Sequence, residues 1–305
     1  MKFTLAMPVS EISPPGEFQN YDAICKITAA LESSGVDAGY ITDHPAPWSE
    51  WLHQGMGHDA LDPFTELAFV AASCTKLMVH TNIVVIPYRN PFITAKAAAS
   101  LQVLSGGRLI LGCGAGYQKQ EFDALGVDYH RRGKLFDEAI EVMRLAWQGK
   151  PVTYEGMDFS AVGNEPRPAC EPAPPIWIGG SSPAALRRAA QHGDGWVPFF
   201  TSAKMTSGNQ AIGIRTAADL KERIDRIQDM RAGYGRTGKF EICTGPQVEV
   251  GYDDMKNIQP YIDSLGELAE AGVGWISAHL PSPSLPGYIE CVQWFGEEVI
   301  AKIRG

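Results

Sequence analysis

Basic charge is in short supply. The 305 residues carry 26 Lys and Arg against 35 Asp and Glu, a formal net charge of −9. An acidic surface repels phosphate backbones, so nucleic acid is not expected as a partner. Paired cysteines are missing too. Cys25, Cys74, Cys113, Cys170, Cys243 and Cys291 are scattered and form no C-x-x-C pair. That argues against a zinc site and a disulfide framework, and they read as small core residues. No run of 18 apolar residues occurs, so no membrane span is expected. The short, largely apolar stretch 3–9 follows a single Lys and leads into Pro14-Pro15, which does not read as a signal peptide. The expected location is the cytoplasm. Low-complexity tracts and short-period repeats are absent as well. A chain of this length buries enough surface to fold without a metal or a disulfide staple.

What is present is alternation. Short β-like runs at 3–7, 38–42, 78–86 and 108–113 are each followed by a helical pattern, at 21–33 (after the first), 63–74, 92–104 and 134–147. The last of these has apolar residues at 135, 136, 139, 140, 143, 146 and 147, the pattern of an amphipathic helix. A hairpin around Glu155-Gly156 breaks the rhythm at 152–161, and a Pro-rich link follows at 166–175. The alternation then resumes. Strands at 176–178, 195–199, 240–250 and 273–279 alternate with helices at 183–192, 219–232, 259–271 and 285–303, with Asp219 as the expected N-cap of the second. Strands alternating with helices imply parallel βαβ units. Eight such pairs predict an α/β fold, a (β/α)8 TIM barrel with insertions. A doubly wound sheet is the alternative, and the count of eight favours the barrel. Two long irregular segments, 44–62 and 200–216, follow strands. In a barrel, such segments lie at the face that carries the chemistry. The second, rich in Thr, Ser, Gly and Lys, reads as a mobile flap.

Residues 79–91 read V-H-T-N-I-V-V-I-P-Y-R-N-P. Ala95-Lys96 follow, then L-S-G-G-R-L-I-L-G-C-G-A-G-Y at 104–117. After these come Glu121-Phe122, Leu125-Gly126-Val127, Arg132 and Phe136-Asp137-Glu138. P-P-I-W-I-G-G-S at 174–181 then leads to Arg187, Arg188 and D-G-W at 194–196. This ordered series resembles the bacterial luciferase-like monooxygenase superfamily, and within it the branch that uses the deazaflavin coenzyme F420. The resemblance implies one luciferase-like (β/α)8 barrel domain over 1–305, with insertion loops at about 44–62, 150–175 and 200–216.

It also implies a site. Asp43-His44, just after the second strand, would border the deazaflavin ring, with His44 as proton partner and Asp43 orienting it. The plainer reading is a histidine that caps a strand end. Trp48 completes D-H-x-x-x-W, a string similar to one in the F420-dependent sugar-phosphate dehydrogenases, and Trp51 competes for the same place. Asn82-Ile83 would form a bulge against the ring, often with a non-proline cis peptide, and an Asn inside T-N-I-V-V-I is poor strand material in any case. Gly114 and Tyr117 close the G-C-G-A-G-Y run beside the ring. The sugar-phosphate dehydrogenases carry an acid where this chain has Tyr117, which argues against that reaction here. Gly179, Gly180, Ser181 and Ser182, followed by Pro183, would offer backbone N–H groups to a phosphate, the plainer reading being a simple capped turn.

Arg89 and Arg108 read as structural, holding loops through carboxylate pairs. His53, His58 and Asp59 fit no standard ligand spacing, so no metal is expected. The reading as a whole is an F420-dependent oxidoreductase transferring a hydride between the coenzyme and a small organic substrate, as a homodimer. The alternatives are an FMN-dependent monooxygenase supplied by a separate flavin reductase, and a non-catalytic flavin-binding protein.

Overall fold

The structure is a computed structural model and describes residues 1–8, 16–53, 57–200, 213–248 and 258–305. In chain order it contains β1 (Lys2–Ala6), α1 (Tyr21–Ser33), β2 (Ala38–Ile41), α2 (Ser49–His53), α3 (Pro63–Ser73), β3 (Met78–Val85), α4 (Pro91–Leu104), β4 (Leu109–Gly114), α5 (Lys119–Ala124), α6 (Arg132–Ala146), β5 (Val152–Glu155) and β6 (Ser160–Asn164). Then follow β7 (Ile176–Gly179), α7 (Pro183–His192), β8 (Gly195–Val197), α8 (Ala217–Gly233), β9 (Glu241–Thr244), α9 (Gln259–Glu270), β10 (Trp275–Ala278), α10 (Leu285–Phe295) and α11 (Ala301–Arg304). Eight strands close into a barrel in the order β1-β10-β9-β8-β7-β4-β3-β2, and β5 pairs with β6 as a separate antiparallel hairpin. This is the barrel that eight strand–helix pairs predict.

The chain divides into two compact units. One consists of Met1–Pro8, Cys25–Gly39 and Ile176–Gly305. Its strands β1, β10, β9, β8 and β7 pair in parallel. Its core is apolar and aromatic: Phe3 meets Phe295 edge-on at 5.5 Å, and Trp177 meets Trp275 at 5.2 Å. The other unit is Val9–Ile24 with Tyr40–Pro175. It holds the parallel pair β3–β4 and a cluster of Val85, Tyr88 and Phe122 against which Val127 and Tyr129 pack.

Most element positions follow the sequence pattern, and the departures have local causes. The N-cap of α8 is Thr216, not Asp219. Asp219 sits three positions in, and the two close a capping box in which each side chain accepts a backbone N–H. The segment 44–62 is not wholly irregular, because α2 lies within it. The last helix is interrupted by a π-helical turn at Gly296–Ile300, where a Cβ on Gly296 would lie 2.7 Å from the Ser34 carbonyl oxygen. Arg108 does hold loops, but through carbonyls rather than carboxylates: it donates to Ser105, Leu77, Ala71 and Cys74 oxygens. Most of the flap reading, and the end of the strand expected at 240–250, fall on residues outside the described ones. Five of the six cysteines are buried, as core residues should be. No helix among the described residues is long and apolar enough to cross a membrane.

Candidate functional site

The bulge in β3 comes first because it fixes what lies beside it. Thr81 pairs with Leu111 and Val84 with Cys113, so Asn82 and Ile83 together stand opposite the single residue Gly112. The peptide joining Asn82 to Ile83 is cis. Gly112 is required here. A Cβ on it would lie 2.0 Å from the Thr81 carbonyl oxygen, and Thr81 Oγ1 donates to the Gly112 carbonyl at 2.8 Å. Gly114, at the end of β4, lies against the Ile83 side chain. Asn82 Oδ1 is buried and has no hydrogen-bond partner among the described residues. A buried acceptor without a donor is costly. It suits a ligand that brings an N–H to this bulge.

Asp43 and His44 follow β2, and their side chains do different work. Asp43 is 2% exposed. Its carboxylate takes two hydrogen bonds from Arg89, at 2.6 and 2.8 Å, and one from the Val85 N–H at 2.9 Å. Arg89 also reaches Asp62, the N-cap of α3, at 3.4 Å. Asp43 therefore ties the loop after β2 to the end of β3. Arg89 is structural, as its sequence context suggests, and the partner that fixes His44 is another residue.

That partner is Glu121 on α5. His44 Nδ1 lies 3.1 Å from Glu121 Oε2. The same carboxylate accepts from Tyr88 OH at 3.0 Å and from the Ala46 N–H at 3.2 Å. Burial first, and the Glu121 charge second, push the Tyr88 phenol upward, so it stays protonated and able to donate. Gln118 adds a second hold: its Nε2 is 3.3 Å from His44 Nδ1, and its Oε1 accepts from the Trp48 N–H at 3.3 Å. His44 Nε2 makes no hydrogen bond among the described residues.

Aromatic rings surround the imidazole. Trp51 lies 4.5 Å from it, tilted by 38°. His58 stands edge-on at 5.0 Å, held by Thr42 Oγ1 at 2.9 Å, and Tyr117 stands edge-on at 6.1 Å. Trp51, not Trp48, is the tryptophan stacked against His44. Trp48 is 38% exposed and Tyr117 62%. Among the described residues no group of three or more His, Cys, Asp or Glu side chains could hold a metal ion.

The Gly179–Ser182 turn belongs to the other unit. Gly180 takes φ +109°, a conformation that L side chains rarely adopt. Its N–H donates to Val197 O at 3.0 Å and its carbonyl accepts from Trp196 Nε1 at 2.8 Å. The Gly180 amide is thus already engaged. Ser182 is the N-cap of α7, its hydroxyl accepting from the Ala185 N–H, and Pro183 opens the helix. The Ser181 and Ser182 N–H groups have no partner among the described residues. Arg223, on α8, donates to the Ser181 carbonyl at 3.3 Å and puts a cation beside them. Two adjacent free N–H groups, a helix start and a guanidinium are a set that can hold a phosphate. Arg187 is exposed and Arg188 buried.

Sequence reading finds Asp43-His44 and the bulge. It misses Glu121, Gln118, Tyr88 and Arg223 as members of the site. Glu121 lies 77 residues from His44, and only the fold joins them.

The chain is similar to several known proteins. An uncharacterized protein of Mycobacterium tuberculosis is 29% identical over 250 residues, covering 81% of this chain and 80% of that one. The F420-dependent glucose-6-phosphate dehydrogenase of Microbacterium testaceum is 28% identical over 213 residues, covering 67% of this chain and 61% of that protein. Among solved structures, an F420-dependent secondary alcohol dehydrogenase in complex with an F420-acetone adduct superposes with a TM-score of 0.76 at 19% identity, over 98% of each chain, and so shares the fold. The model of the luciferase-like monooxygenase family matches residues 1–265, and the chain belongs to that family.

Proposed function

We propose that the protein is an F420-dependent oxidoreductase that moves a hydride between the deazaflavin and a small organic substrate. The observation that carries the reading is His44, gripped at Nδ1 by a buried carboxylate while Nε2 has no hydrogen bond among the described residues. The aligned relative named as F420-dependent supports the coenzyme. So does the buried, unpartnered Asn82 Oδ1, which can accept an N–H from a ring docked on the bulge.

When bound, the coenzyme would supply the two-electron hydride chemistry. The chain would supply the proton and the positioning. With an alcohol as substrate, His44 Nε2 takes the hydroxyl proton as hydride leaves the carbinol carbon; in the reverse direction it returns that proton to the carbonyl oxygen. Asp43 and Arg89 anchor the loop that carries His44. Trp51 restricts the imidazole, and Tyr117 and Trp48 offer aromatic surface to the substrate. Within the other unit, the Ser181 and Ser182 amides with Arg223 form a set that would take a phosphate group.

The family's description as a monooxygenase keeps one rival in play, which we read as FMN-dependent and fed by a separate reductase. Titrating the apo-protein with F420 and with FMN separates the two. F420 is expected to bind at least about tenfold more tightly, a difference of about 1.4 kcal/mol. Tighter binding of FMN by the same factor would overturn the proposal.

A further inference from the structure

We infer that Glu121 is a positioning residue that sets the tautomer of His44. The inference deepens the proposed function and rests on His44 as proton partner, but its first test does not require turnover.

Two neighbours make opposite demands on His44 Nδ1. Gln118 Nε2, at 3.3 Å, can only donate and would want Nδ1 as an acceptor. Glu121 Oε2, at 3.1 Å, can only accept when ionised and needs Nδ1 as a donor. The carboxylate side chain is 1% exposed, so it cannot turn to water for a replacement. Its other donors are Tyr88 OH on the same oxygen and the Ala46 N–H on Oε1. An unprotonated Nδ1 facing it would set two lone pairs against each other beside a buried charge. Glu121 therefore wins, and the proton sits on Nδ1. That leaves the Nε2 lone pair for the substrate.

The same geometry governs what happens once Nε2 takes a proton. The imidazolium then faces the Glu121 carboxylate from α5, which still accepts from Nδ1–H. The remaining groups around the ring are Gln118 and Tyr117 ahead of α5, Tyr88 after β3, Trp51 on α2, and His58 in the following loop. Asp43, next in sequence, spends its charge on Arg89. No other described group supplies the negative charge that Glu121 does.

The test is nitrogen NMR on the apo-protein labelled at histidine, with His44→Gln used to assign the signal. The wild type is expected to show the Nδ1–H tautomer at high pH. In Glu121→Gln, whose amide can donate to or accept from Nδ1, the single tautomer is expected to give way to a mixture. Tyr88→Phe, which removes one donor from Glu121 and leaves His44 its partner, is expected to keep the Nδ1–H tautomer. If Glu121→Gln does not fold, the wild-type and Tyr88→Phe spectra still decide. An Nε2–H tautomer in the wild type, or an unmixed Nδ1–H tautomer in Glu121→Gln, overturns the inference. If the tautomers behave as expected but F420 does not bind, the proposed function fails and the role of Glu121 stands.

Discussion

At the scale of single residues, burial decides which groups are free to react. Asp43 and His44 are neighbours in sequence, yet Asp43 is consumed by Arg89 and the Val85 amide while His44 turns to Glu121. Glu66 shows the opposite situation. It is 2% exposed, and neither carboxylate oxygen has a partner among the described residues. Burial, and then the nearby Asp62 charge, push its carboxyl from 4.5 up to about 8. The folded protein thus holds a proton on Glu66 that the unfolded chain releases above pH 4.5. Its contribution is complete below that value and is lost as pH rises through 4.5 toward about 8, by a few kcal/mol in all. Urea unfolding of Glu66→Gln should therefore lose this downward slope between pH 5 and 8, with the variant the more stable at about pH 8. An unchanged slope would mean that Glu66 finds a partner in solution.

Much of the site was legible at this scale, though its supports were not. Asp43-His44 and Asn82-Ile83 stand out because a short polar pair ends one strand and an Asn interrupts another. Glu121 gives no such signal. It occupies the third position of a six-residue helix, too short to show periodicity, and becomes a partner of His44 only when β2 and β4 bring their following loops together within one unit. Which tryptophan meets His44 was hidden for a similar reason. The two lie on or beside the five-residue α2, and only the rotation of that turn decides which ring meets His44.

At the scale of elements, periodicity carried the assignment wherever a helix runs for three turns or more. Helices α1 and α7 match their sequence patterns end to end. Errors gather at caps, in short helices, and at the π-helical turn, whose hydrogen-bonding or packing partners are distant or ambiguous. The β5–β6 hairpin shows how a distant partner fixes a local turn. Glu138, buried on α6, accepts N–H groups from Asp158 and Phe159 in the turn. A Cβ on Gly156 would lie 1.8 Å from its Oε1, so glycine leaves room for the carboxylate. Glu138→Ala strands these turn amides and should lower stability by about 1–3 kcal/mol in chemical denaturation. Protease cleavage within 156–159 should rise in parallel. A loss below about 0.5 kcal/mol would show that water replaces the carboxylate without cost.

At the scale of the whole molecule, the closed order of eight parallel strands and the luciferase-like family membership agree with the alternation read from the sequence. The coenzyme is a narrower matter, because one barrel can serve deazaflavin and flavin alike. The direct measurement is a crystal structure of the protein grown with F420. The account predicts the deazaflavin ring on the Asn82-Ile83 bulge, with a ring N–H on Asn82 Oδ1 and His44 Nε2 facing the substrate side. A ring bound away from the bulge, or Nε2 turned from it, would contradict the account.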